Sequence, residues 1–168
     1  MAHACRNGLI AGAAGTVTLN ALTYLDMAVR GRGPSSTPEQ AAGILAGKTG
    51  LDLGEEETAE HRKEGIGPLL GMAAGLGVGV AYGLFRQAAP RLPRPLAVLA
   101  VGAAVMVAAN APMVTLGLTD PREWGTEGWL SDLVPHLGYS LATVAAYEAV
   151  SRRPAPRPAR SGWLRPGP

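Results

Sequence analysis

Four long stretches of this chain are apolar and almost free of charge, and each has the length of a membrane crossing. A hydrocarbon core about 30 Å thick needs roughly 20 apolar residues in helical form. The stretches run from about Gly8 to Val29, Ile66 to Phe85, Leu96 to Leu118 and Leu133 to Val150. The second and third hold no charged residue; the first carries Asp26 near its end, and the fourth carries His136 near its start and Glu148 near its end. Backbone N–H and C=O groups in lipid must be satisfied within the segment, which selects the helix. The expected fold is all-α: an integral membrane four-helix bundle over residues 1–150, with a tail over 151–168. The first stretch is longer than the apolar core of a signal peptide and is interrupted by Asn20, so it reads as a retained helix.

Charge sets the expected orientation. Four spans put both termini and the 86–95 loop on one side, with nine of the 15 Lys and Arg residues; the 30–65 and 119–132 loops hold the other six. The positive-inside rule then places both termini in the cytoplasm of a cell whose cytoplasmic membrane holds the protein. Thirteen of the basic residues are Arg, and with 23 Gly and 14 Pro this codon usage suggests a GC-rich bacterial genome. The single cysteine, Cys5, excludes an internal disulfide and any cysteine-rich zinc site. No cofactor and no nucleic-acid partner are expected.

The loops have content of their own. The first outer loop is too long for a plain connector. Thr37 can cap a short helix from Pro38 to about Ala46, with Gln40 completing a capping box. Glu55 to Glu64 is helical and charged, and extends the second span outward; Gly65, Gly67 and Pro68 can bend it at the membrane entry. Trp124 and Trp129 suit the headgroup region. The tail from Ser151 has five Arg and five Pro, is expected to be disordered, and attracts anionic lipid.

The sharpest pattern is a glycine at every fourth position of the second span: Gly67, Gly71, Gly75, Gly79 and Gly83. On a helix they form one smooth groove, into which another backbone packs closely. A central helix is the first reading, with a homo-oligomer face or a channel wall as others. Ala104 and Ala108 of the third span offer a partner surface.

Polar groups at membrane depth form the second pattern. Thr16, Asn20 and Thr23 share a face of the first helix, and Asn110 lies deep in the third, two residues before Pro112. Asn20 and Asn110 can hydrogen-bond each other or line a polar path. Asp26, His61, Asp120, Asp132 and His136 all fall at the outer end, and Glu57, His61 and Glu64 share a helical face. Carboxylate with imidazole suits a proton relay, or a weak metal site built on His61, His136 and Glu57. The structural alternative pairs Asp26 with Arg30, leaves His61 in a solvated charge run and makes His136 a helix-start cap. No phosphate-binding loop, nucleophile elbow or dense metal motif is present.

A glycine-rich first helix, a long polar loop with a short helix, and a last helix opening Pro135-His136-Leu137-Gly138-Tyr139 give a layout over residues 8–150. It resembles the small four-span inner-membrane proteins of unknown function grouped around YagU. That resemblance implies a membrane location and no established activity. Three functions fit: a non-enzymatic structural or stress-associated bundle; a small proton-coupled carrier or channel using Asp26 and His136; or an outer-face metal-binding protein. The lipid bilayer is the expected partner, together with a second copy of the chain.

Overall fold

A computed structural model describes residues 1–152. Within them the chain forms five helices and no strand: α1 Ala2–Arg30, α2 Thr37–Thr49, α3 Glu56–Ala88, α4 Arg94–Thr115 and α5 Thr126–Ser151. α1, α3 and α4 are long and apolar enough to cross a membrane. α5 falls short of that measure because His136, Ser140, Thr143 and Glu148 interrupt its apolar run. Of the tail expected to be disordered from Ser151, Ser151 ends α5 and Arg152 is its C-cap; the rest lies outside the described residues.

Helix ends follow local chemistry. α1 and α2 stop at Gly31 and Gly50, both in the left-handed region (φ 62° and 70°) that glycine enters without strain. The cap of α2 is Ser36 rather than Thr37, and Gln40 Nε2 donates to Ser36 Oγ at 2.9 Å. No side-chain cap bond forms, so the expected capping box is absent, and α2 runs three residues past Ala46. α3 stays helical through Gly65, Gly67 and Pro68. At 1.5 Å per residue its 33 residues span about 50 Å, so the charged turns from Glu56 to Glu64 overhang any hydrocarbon core. α5 begins well before Leu133, so His136 lies inside the helix and does not cap it.

α1 runs antiparallel to α3 and α5, and α4 runs antiparallel to α5. The α1–α3 seam is made of backbone. A methyl added at Gly8 would stand 2.5 Å from the Gly79 carbonyl oxygen and 2.9 Å from Val80 Cα; one at Gly12 would stand 2.9 Å from the Gly75 carbonyl oxygen. From the α3 side, Gly79 faces Gly12 and Gly83 faces Ala4 and Gly8. The groove of α3 is therefore filled by the matching small-residue face of α1. The expected surface on α4 is not the partner, since Ala104 is exposed and Ala108 only half-buried. Gly67 belongs to a different contact, against Pro38 and Glu39 of α2, and Gly71 has open space around it.

The interior is small and polar, and the exterior is greasy. No Leu, Ile, Met, Phe or Trp is buried among the described residues. The buried positions are mostly glycines and alanines, with Val101, Val105, Val144, Pro135, the tyrosines Tyr82, Tyr139 and Tyr147, and the polar Asn7, His136, Ser140 and Thr143. Val17, Leu69 and Leu99 are 69%, 62% and 68% exposed. Along α5, Leu130, Leu133, Leu137 and Leu141 face outward while Ser140 and Thr143 are fully buried.

Candidate functional site

Two tyrosines tie α5 to α3. Tyr139 Oη donates to the Gly75 carbonyl at 2.5 Å, and Tyr147 Oη donates to the Gly83 carbonyl at 3.2 Å. The tyrosines are eight residues apart, and so are the glycines. Because glycine has no side chain, each carbonyl can be reached by a hydroxyl from a neighbouring helix. Sequence reasoning did not assign these tyrosines a role. Equal spacing on two helices was the available signal, and it became readable only once the helices were known to be neighbours.

The polar groups separate into three sets. At the Arg30 end, Asp26 is held by two guanidiniums: Arg30 Nε at 2.8 Å and Arg32 Nε at 2.6 Å. Arg30 also donates to Ser131 Oγ and lies 3.9 Å from Glu127, tying the end of α1 to the start of α5. The pairing of Asp26 with Arg30 is thus present, with Arg32 added. A carboxylate so matched is a poor proton carrier, because both arginines favour its charged form.

The second set joins α4 to α5. Asn110 Nδ2 donates to Asp132 Oδ2 at 3.1 Å, and His136 Nδ1 lies 2.7 Å from the Asp132 carbonyl oxygen and 3.4 Å from its Oδ1. A carbonyl oxygen only accepts, so Nδ1 carries the proton of the neutral ring and Nε2 keeps its lone pair. His136 is 8% exposed. Asn110 therefore pairs with Asp132, not with Asn20, which is half-buried on α1. Helix α4 places Asn110 against α5. Asn110 also borders a shallow groove of about 200 Å³ with Trp124 and Trp129. Those indole rings meet edge to face at 5.0 Å, and Trp124 Nε1 donates to Thr119 Oγ1 at 2.8 Å.

The third set is solvated. His61 Nδ1 and Glu64 Oε2 are 3.6 Å apart with both side chains largely exposed, and Glu57 is exposed as well. Asp120 accepts from the Arg122 backbone N–H in a turn. The outer acidic and histidine residues do not converge: among the described residues, no three His, Cys, Asp or Glu side chains come together to hold a metal ion. His61 and His136 sit on different helices in different surroundings, one wet and one buried.

No protein-family model, curated protein or solved structure matches this chain.

Proposed function

We propose that this chain is a four-span protein of the cytoplasmic membrane, with both termini cytoplasmic, acting as a non-enzymatic structural or stress-associated bundle of the YagU-like kind. The reversal of the side-chain distribution carries the reading. Glycines, alanines, Ser140, Thr143 and three tyrosines lie inside with only three valines, Val101, Val105 and Val144, and the leucines lie outside or at most half-buried. In water a bundle gains its stability by burying large apolar side chains. In lipid that force is missing between helices, and close packing of small residues with interhelical hydrogen bonds takes its place. The glycine seam and the two tyrosine–carbonyl bonds are of this kind. α5 joins as the fourth span because its polar residues turn inward and its leucines outward.

Reporter fusions test the span count directly. Four spans put fusions after Arg6 and after Arg152 on the same side of the membrane; three spans put them on opposite sides. Alkaline extraction of membranes is a second check, with the chain remaining in the pellet until detergent is added.

A small proton-coupled carrier is the second reading, favoured by buried His136, whose Nδ1 lies 3.4 Å from the Asp132 carboxylate. Liposomes loaded with a pH-sensitive dye decide it. Carrier activity requires a proton flux that His136→Gln abolishes; equal traces for the wild type, His136→Gln and empty liposomes leave the structural reading.

A further inference from the structure

The Arg86 end carries polar side chains that neither reading uses. Arg86 lies in the last turn of α3, and Ser151 and Arg152 close α5. With Tyr147 and Glu148 they line an open cleft of about 350 Å³. Its charges do not cancel. Glu148 Oε2 is 3.9 Å from Arg94 Nε, so Arg94 offsets the one carboxylate. Arg86 and Arg152 form no ion pair among the described residues.

The donors of this cleft are partly committed, and what remains suits an oxyanion. Arg86 Nη1 holds the Leu92 and Ala89 carbonyls at 2.9 and 3.5 Å, which fixes the guanidinium and leaves its Nε and Nη2 hydrogens free to donate. Ser151 Oγ accepts from Asn7 Nδ2 at 3.2 Å, so its own O–H remains a donor. Behind the cleft the Tyr147 ring meets the Tyr82 ring edge-on at 5.1 Å. Beside the arginine and the serine in sequence, Phe85 and Val150 are 47% and 37% exposed on the outer surface. A cationic cleft with greasy flanks at a helix-bundle end fits a molecule with a phosphate and hydrocarbon chains.

We propose that this cleft binds the phosphate of an anionic phospholipid, with Arg86, Arg152 and the Ser151 hydroxyl as donors and the acyl chains beside Phe85 and Val150. This rests on the membrane reading above, and it concerns a folded cleft that joins Arg86 of α3 to the first two tail residues, Ser151 and Arg152. The full chain in neutral detergent is titrated with phosphatidylglycerol, phosphatidylcholine or sodium phosphate. Bound lipid is counted by native mass spectrometry, and affinity is read from the shift in thermal midpoint. One phosphatidylglycerol stays bound and phosphatidylcholine does not. Arg152→Gln weakens binding about tenfold or more, the weight of hydrogen bonds to a charged group. Arg91→Gln, in the exposed adjoining loop, weakens it only a few-fold, as a distant surface charge does. Arg86→Lys, which keeps the charge but lacks the guanidinium fork, falls between the two.

Equal binding of both lipids overturns the proposal, as does an equal loss in Arg91→Gln and Arg152→Gln. Arg152-dependent binding of sodium phosphate as tight as that of phosphatidylglycerol assigns the cleft to the free anion and overturns the lipid. Failure of the membrane reading shows separately, as a chain that stays monodisperse without detergent. The sodium phosphate titration in water then decides the cleft alone.

Discussion

Two seams of this molecule are built from opposite materials. Between α1 and α3, backbone meets backbone: Gly8 and Gly12 lie against Gly75, Gly79 and Gly83, and the small side chain of Thr16 fills the space at Gly75. Between α4 and α5, side chains do the joining. Val101 and Val105 pack with Val144, Asn110 bonds to Asp132, and Arg94 approaches Glu148. The first seam tolerates no added atom but depends on no particular polar group. The second has room for side chains and depends on polar partners being matched. A glycine seam therefore fails by overpacking, and a polar seam by stranding a buried group.

Substitutions can break or sharpen that contrast. The largest effect is expected in the glycine seam. Gly79→Val puts a side chain into Gly12 and Gly8 and should destabilise by about 3 kcal/mol or more. It should appear as loss of a cooperative thermal transition in detergent. Gly71→Ala, four positions before Gly75 on the same stripe but in open space, should stay within about 0.5 kcal/mol of wild type. Equal damage from both would remove the distinction between the paired and unpaired glycines.

Next in size is the polar seam. Asp132→Ala leaves the Asn110 amide and the His136 ring without their side-chain partner, at about 1–3 kcal/mol, measured by denaturant titration in mixed micelles. A smaller effect is expected where a hydroxyl merely supplements the glycine groove. Tyr147→Phe keeps the ring contact with Tyr82 and loses the bond to the Gly83 carbonyl, about 1 kcal/mol by the same titration. Smallest is Asp26→Asn. Its two arginine contacts lie at a helix end where the side chains keep about a third of their exposure, so the thermal midpoint should change little at physiological salt. A large drop there would mean that the α1–α5 tie at Arg30 contributes as much as either seam.

The helices were largely legible in the sequence because they depend on local terms. Length of apolar run, glycine at the ends of α1 and α2, and serine or threonine before Pro38 all act within a few residues. The small-residue stripe of α3 was legible for the same reason, since periodicity belongs to a single helix. Less was legible at the polar sites. Asn20 and Asn110 were both deep and both amides, and nothing local distinguishes a partner on α1 from one on α5. The neutralisation of Asp26 was half visible, because Arg30 is one turn away. Arg32 lies beyond the Gly31 turn and reaches Asp26 only once that turn folds back.

By itself, then, the sequence determined which segments are helical and which faces are small, apolar or charged, because those properties arise from neighbours along one chain. Tertiary structure decided the pairings: α1 rather than α4 in the α3 groove, Asp132 rather than Asn20 for Asn110, and glycine carbonyls for Tyr139 and Tyr147. Several helices offer similar small faces and similar polar groups. Only the simultaneous packing of all of them leaves one arrangement in which the backbones touch and Asn110, Tyr139 and Tyr147 find their acceptors.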